Sequence, residues 1–378
     1  MKNLLNEMAR WDASDLHLKA GSPPALRVNG LLIDMKVPPL GAQDLDGITR
    51  SLLSQEQYST LERELEIDFA FEFEKLGRFR TNVYFQRGSK AIAIRHIPSR
   101  IRTPEELMLP PVVKDLALKP RGLVLITGMT GSGKSTTLAS MVEHINMSQR
   151  SNVITVEDPV EFVYTDKQSR ISQRAVGRDT ASFGRALRHI LRQDPDVILV
   201  GEIRDTETMT VALQAADTGH LVFSTLHTTD ATQTVNRIIS FYPLHQHQEI
   251  RVLLASTLLA IISMRLIPRA DMPGRVPACE VMVSTESIRD YIKDSSKTHL
   301  IPSFMKEGHS QYGMQTFDQS LMHLYRSGFI SYENALHNST NPSEFSLRVK
   351  GILSTSDKSW DQFEGSRPDE GSHALGRE

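Results

Sequence analysis

The stretch Gly128-Met129-Thr130-Gly131-Ser132-Gly133-Lys134-Ser135 fits the phosphate-cradling P-loop pattern at every fixed position, and few short motifs restrict a fold so strongly. The motif requires a strand before it and a helix after it. Leu123–Thr127 is an uninterrupted apolar run of strand length, and Lys134 to about Asn146 reads as a helix. Gly128, Gly131 and Gly133 let the chain turn tightly, so that successive backbone N–H groups and the positive end of the helix point at phosphate oxygens. Lys134 is expected to reach the β- and γ-phosphates and Ser135 to hold Mg²⁺. Gly128, Thr130, Gly131, Ser132, Gly133, Lys134, Ser135 and Thr136 are the candidate contacts to a nucleoside triphosphate. The bland alternative is a glycine-rich turn with an incidental lysine, which the flanking strand and helix disfavour.

A chain of 378 residues has room for two or three domains, each with its own core. Forty-three basic against 45 acidic residues give a formal charge of −2, which offers no global attraction to nucleic acid or to an anionic membrane. The single cysteine, Cys279, excludes internal disulfides and a four-cysteine zinc site and suits a reducing cytosol. Its apolar surroundings read as those of a buried, inert thiol. The first ten residues lack the apolar core and cleavage site of a signal peptide. The longest apolar run, Val252 to Met264, is too short to span a bilayer and reads as a buried helix. These features lead to the expectation of a cytoplasmic protein with no transmembrane segment and no direct nucleic-acid partner.

Residues 1–97 read as a separate α+β domain. A short amphipathic helix is followed by alternating Asp15-Leu16-His17-Leu18-Lys19, by two strands flanking the tight-turn dipeptide Asn29-Gly30, by helices near Gln43–Leu53 and Glu56–Leu65, and by strands at Asp68–Phe73, Phe79–Gln86 and Ala91–His96. Pro98, Pro104, Pro110 and Pro111 mark residues 98–112 as a linker. From 113 to 353 strands alternate with helices: Leu123–Thr127, Val153–Glu157, Val197–Val200 and Leu221–Leu226, with helices around Ala181–Arg192 and Thr206–Asp217 and from Ala231. That alternation argues for a mostly parallel α/β sheet covered on both faces, with nucleotide at the carboxyl ends of the strands. Beyond about Pro243 the pattern reads as mainly helical, including Gly313–Ser327 and Tyr332–His337, and the polar segment 354–378 reads as disordered.

Several polar residues fall where phosphate chemistry needs them. Glu202 follows the buried strand Val197–Val200, the place of an acid that serves the metal; its alternative is a structural bond to nearby Arg204. Glu157, Asp158 and Glu161 follow another strand. Glu161 is the choice for orienting the attacking water, because Pro159 forces a turn that could swing it back, whereas Glu157 and Asp158 are left to cap the loop and bind Mg²⁺-bound water. His220 and His227 bracket Leu221–Leu226, which separates them by about 20 Å, too far to share a metal. His227, at the carboxyl end, falls where a γ-phosphate sensor would sit; His220 is open to a structural, intersubunit or catalytic role. Arg78, Arg80 and Arg95 come from the last two strands of the first domain, where solvation or surface pairing competes with stabilising transition-state charge.

Taken together, Gly128–Ser135, Glu157-Asp-Pro-Val-Glu161, Asp194-Pro-Asp-Val-Ile-Leu-Val-Gly-Glu202 and Thr218-Gly-His220 with Leu226-His227-Thr resemble the secretion-ATPase superfamily of traffic motors. Within it the chain looks like the type IV pilus retraction ATPases of the PilT and PilU type, from Ser14-Asp-Leu-His-Leu18 through Gly77-Arg-Phe-Arg80 to Gly313–Gln319. The resemblance implies a PAS-like N-terminal domain, a RecA-like motor domain and a hexameric ring with ATP and Mg²⁺ between the two. It also implies that Arg80 and Arg95 reach the γ-phosphate, and that Glu161, Glu202 and His227 carry catalysis, with Ser135 and Glu202 serving the metal. Pilus disassembly and twitching motility follow, with an inner-membrane platform protein and a paralogous retraction ATPase as partners. An accessory nucleotide-binding subunit and a secretion or DNA-transfer motor are the alternatives. Arg192-Gln-Asp-Pro-Asp196 looks like PilT, whereas Tyr332–Leu336 and a tail past residue 350 lie closer to PilU, toward which the reading leans.

Overall fold

The computed structural model describes residues 1–28, 30–73, 76–97 and 100–351. Asn29, Pro98 and the tail 354–378, named above for a turn, a linker and disorder, lie outside the described residues. The chain divides into two compact units, Met1–Ile101 with Asp158–Thr165, and Arg102–Glu157 with Asp166 onward.

The first unit comprises α1 (Lys2–Arg10), β1 (Asp15–Lys19), β2 (Ala25–Val28), β3 (Leu31–Asp34), α2 (Ala42–Leu52), α3 (Gln55–Glu64), β4 (Glu66–Phe73), β5 (Gly77–Gln86) and β6 (Ser89–Ile97). Its strands form an antiparallel sheet in the order β3-β2-β1-β6-β5-β4. Val28 pairs with Leu31, closing a two-residue turn in which Gly30 takes φ +85°, a value that glycine adopts without strain. Strand alternation sends Leu16, Leu18, Leu26, Phe79, Val83, Ile92 and Ile94 into one core with Leu5, Met8, Leu45 and Leu61 of the helices. Each such burial contributes about 1.5–3 kcal/mol. Lys90 of β6 clamps the helices to this sheet: its Nζ bonds Asp46 of α2, and Tyr58 and Glu62 of α3.

The second unit begins with α4 (Val112–Ala117), β7 (Gly122–Thr127), α5 (Lys134–Ser148), β8 (Asn152–Glu157), β9 (Arg170–Ala175), α6 (Phe183–Ile190), β10 (Val197–Val200), α7 (Thr206–Asp217), β11 (Leu221–Leu226) and α8 (Ala231–Ser240). It continues through α9 (His247–Thr257), β12 (Leu258–Pro268), β13 (Arg275–Val283), α10 (Glu286–Lys293), α11 (Ile301–Glu307), α12 (His309–Tyr312), α13 (Phe317–Arg326), α14 (Tyr332–Asn338) and α15 (Pro342–Val349). The seven strands are ordered β13-β12-β7-β11-β10-β8-β9, all parallel except β13. β7, β10 and β11 are buried along their whole length, which is why they read as unbroken apolar runs.

Two expectations need correction. Val252 to Met264 is not one helix: α9 ends at Thr257, and the chain runs on as β12, parallel to β7 and antiparallel to β13. A strand buried on both faces carries no period that separates it from a buried helix. Helices still predominate beyond Pro243, as expected, but that part is not helical throughout, since β12 and β13 extend the sheet by two strands. Nor is Gly313 helical; it takes φ +66°, Gln315 bridges to Val281, and α13 starts only after the Thr316 cap, whose hydroxyl accepts from Gln319 N–H. The edge strand β9 went unanticipated because Arg170-Ile-Ser-Gln-Arg-Ala175 is mostly polar. Residues 102–111, with three of the linker prolines, group with the second unit. Among the described residues no helix is long and apolar enough to cross a membrane.

Candidate nucleotide site

β7 delivers the chain to the P-loop from the middle of the parallel sheet. Gly128, Gly131 and Gly133 take φ of +141°, +79° and +98°. At Gly128 a Cβ would stand 2.5 Å from Ser132 Oγ and 2.6 Å from the Met264 carbonyl, so the loop closes there only on glycine. Nothing lies within 4 Å of a Cβ at Gly131, where the loop opens outward. Lys134, the first residue of α5, is buried, and its Nζ donates to the carbonyls of Gly128 at 2.8 Å and Met129 at 3.0 Å. The ammonium is thus held inside the curl of the loop, at the positive end of α5. Ser132 Oγ is buried without a hydrogen-bond partner, a donor left for an incoming acceptor. Thr130 and Ser135 are exposed and Thr136 is half-buried. An orphaned hydroxyl, an enclosed lysine and a cradle that tolerates no side chain at its base fit a bound polyphosphate.

The sheet brings two more of the expected residues together. β10 ends at Val200, Gly201 N–H donates to the Val156 carbonyl at 2.8 Å, and Thr225 Oγ1 donates to the Gly201 carbonyl at 2.8 Å. So fixed at the carboxyl edge between β8 and β11, the chain presents Glu202. Its Oε2 accepts from Arg204 Nη2 at 2.8 Å, and its Oε1 lies 3.1 Å from His227 Nε2. The bond to Arg204, weighed from sequence as the structural alternative, exists, and His227 shares the same carboxylate. Glu202 is largely buried, with Arg204 and His227 more open to solvent. Among the described residues no three His, Cys, Asp or Glu side chains assemble into a metal site.

Other expected residues are placed differently. Glu157 ends β8 with its Oε1 accepting from Thr155 Oγ1 at 2.6 Å and Gln173 Nε2 at 3.1 Å, which suits the capping role. His220 sits at the opposite end of β11, its Nδ1 against the Ala215 carbonyl at 2.9 Å and Thr218 Oγ1 at 3.2 Å, closing the end of α7. Arg80 and Arg95 belong to the first unit and face each other across β5 and β6; Arg95 Nε also donates to Asp15 Oδ1 at 2.8 Å. Arg78 pairs with Glu72 at 3.6 Å. Glu161 lies in the segment Asp158–Thr165 that groups with the first unit.

Sequence reasoning missed the backing of the loop. Ser263 and Met264 of β12 lie beside it, Thr127 Oγ1 donating to Ser263 Oγ at 2.9 Å and Thr137 Oγ1 meeting Met264 Sδ at 3.2 Å. Nothing local in Ile261-Ile-Ser-Met264 signals this, since it depends on β12 pairing with β7. Cys279 of β13 is buried and its thiol is pushed up to about 12 by burial, as expected of an inert cysteine.

Residues 110–334 match the family model described as type II/IV secretion system protein. The chain is 43% identical over 342 residues to the type IV pilus retraction ATPase PilT of Pseudomonas aeruginosa, covering 90% of this chain and 98% of that one. It is 38% identical to the type IV pilus ATPase PilU of the same organism, covering 92% and 91%. A crystal structure of the pilus retraction motor PilT with bound ADP superposes with a TM-score of 0.83 at 44% identity, covering 90% of this chain and 97% of that one. Identity is thus higher to PilT than to PilU, which runs against the lean drawn from the end of the chain.

Proposed function

The chain belongs to the type II/IV secretion system protein family and, within it, to the ATPases of pilus retraction; from that premise we propose how its residues carry out the work. It is a P-loop ATPase that binds nucleotide and powers withdrawal of type IV pili. The observation that carries the assignment of residues is the glycine cradle around Lys134, standing with Glu202 and His227 at the carboxyl edge of one buried parallel sheet.

Lys134 and the loop N–H groups take the β- and γ-phosphates, releasing the Gly128 and Met129 carbonyls that now hold the ammonium. Mg²⁺, when bound, neutralises developing charge on the transferring phosphoryl group. Ser135 and Glu202 would hold that metal, Glu202 giving up its bond to Arg204 to do so. His227, tied to Glu202, reports the γ-phosphate, and Glu161 orients the attacking water. Arg80 and Arg95 stabilise transition-state charge once six subunits form a ring, a role supported by their side-by-side register and by the family resemblance. The motor works at the inner face of the membrane through a platform protein of the pilus machine, with a paralogous ATPase as a further partner. Residues 1–97 act as the PAS-like domain and 113–353 as the motor.

The test is turnover and ATP binding in Glu161→Gln and Glu202→Gln, both confirmed as folded. Glu161→Gln is expected to bind MgATP and lose about 10²–10⁴-fold in rate, as for loss of a general base. If it instead lost Mg²⁺-dependent binding while Glu202→Gln kept it, the two roles would be exchanged. Wild-type turnover in both would remove the assignment.

A further inference from the structure

Glu280 of β13 is a buried acid to which the steps above give no part. It lies directly across from Ser263 of β12, and Ser263 lies directly across from Thr127, the last residue of β7 before the P-loop. Residues opposite one another on paired strands project to the same side, so Thr127, Ser263 and Glu280 form one row on one face of the sheet. From the end of that row Glu280 Oε1 accepts the backbone N–H of Ala231, the first residue of α8, at 2.8 Å. α8 begins where the loop His227-Thr228-Thr229-Asp230 ends. The loop is therefore held at both ends by glutamates from different strands: Glu202 after β10 holds His227, and Glu280 holds the residue after Asp230.

The groups around Glu280 oppose one another. Arg265 of β12 favours its charge, while Asp230 at the cap of α8 and Asp318 of α13 disfavour it. Arg265 is committed elsewhere, stacked 3.8 Å over the Phe317 ring and donating to the Asn338 carbonyl. Burial, more than any of these, pushes the Glu280 carboxyl up to about 7. An uncharged acceptor would satisfy the Ala231 N–H equally well in number, so hydrogen bonding alone gives no reason for an ionisable group here.

We propose that Glu280 is a positioning residue for ATP hydrolysis: through the Ala231 N–H it fixes the start of α8, and so keeps the His227 loop in register with the strand that leads into the P-loop. The inference rests on the reading that this loop meets the γ-phosphate. The tether is strongest when Glu280 is ionised, because the charge then adds to the bond at the positive end of α8. Its ordinary value is 4.5 and its value here about 7, so the ionised fraction grows as pH rises through about 7, and turnover rises with it.

The experiment compares the full-length chain with Glu280→Gln, Glu280→Ala, His227→Ala and the double alanine variant, measuring kcat and KM for ATP from pH 6 to 8.5. Glu280→Ala is expected to lower kcat roughly 10-fold or more, as misplacement of a catalytic loop does, with KM little changed. Added to His227→Ala it should cost nothing further. Glu280→Gln should keep most of the turnover at low pH and lack the rise near pH 7; this variant preserves shape and decides the matter if the alanine variant does not fold. Wild-type kcat in Glu280→Ala, a full additional loss in the double variant, or an unchanged pH profile in Glu280→Gln would overturn the proposal. Wild-type turnover in His227→Ala would instead strike the premise about the loop, and the inference would fall with it.

Discussion

Glu202 has two partners in the structure, Arg204 and His227, and one proposed partner in the working enzyme, and exchanging Arg204 separates these roles. Arg204 is 64% exposed at its side chain, and Glu202 20%, across a contact of 2.8 Å. An ion pair with one member in water contributes about 0–1 kcal/mol. Arg204→Ala should therefore shift MgATP affinity by no more than about 5-fold. The direction is upward, because the guanidinium competes with the metal for the same carboxylate. Turnover should stay within the same factor. Glu202→Gln removes charge from the γ-phosphate edge and should cost about 10²–10³-fold in kcat, the usual loss when a preorganised electrostatic group is taken from a reacting centre. It should also raise the Mg²⁺ concentration needed for half-maximal turnover. Steady-state ATPase rates across a Mg²⁺ titration, with a fluorescent ATP analogue for affinity, read both quantities. If Arg204→Ala lost as much turnover as Glu202→Gln, the pair itself would be the functional unit. Glu202 would then be a loop anchor and the metal assignment would fail.

Gly128→Ala would set a Cβ against Ser132 Oγ and the Met264 carbonyl at φ +141°, so it should lose ATP-analogue binding and about 1–3 kcal/mol of stability; Gly131→Ala, with open space around it, should show the smaller effect in the same melts. Lys90→Met leaves Glu62 without its cation, while Asp46 and Tyr58 keep their bonds to Arg50; because both acids reach solvent, the expected cost is about 1–2 kcal/mol, read by denaturant melting and confined to the first unit.

The parts of this protein that were legible beforehand are those whose physics is local. The P-loop reads from eight residues because its glycines, lysine and serine must be adjacent. Helices α2 and α3 read from their periodicity, and the β2–β3 turn from its glycine. The placing of Glu202 and His227 at one sheet edge also followed, since each ends an apolar run of strand length and parallel strands put such ends together. What was hidden depends on pairing. Leu258–Met264 is equally apolar as strand or as helix, and only β7 on one side and β13 on the other decide it. Polar β9 is a strand because β8 offers it a free edge, which no pattern in Arg170–Ala175 announces.

That division bears on how the site is held. Every residue proposed to touch phosphate or metal in the second unit was visible in the sequence, whereas the residues that brace them, Ser263, Met264 and Glu280, were not. Contacting residues are set by ligand chemistry, which fixes residue type and spacing; bracing residues need only arrive at the right place through the sheet. Met264 braces through its carbonyl, which stands closer to a Cβ at Gly128 than any real contact would allow, so the strand that was misread as helix is what makes glycine obligatory at the first position of the motif. Displacing β12 from β7 would therefore open the base of the cradle with every motif residue intact. A substitution such as Ile262→Pro, which removes a ladder donor from the middle of that strand, should abolish nucleotide binding as completely as loss of Lys134 itself. Retained ATP-analogue binding in a folded Ile262→Pro chain would show that the loop stands without its neighbour.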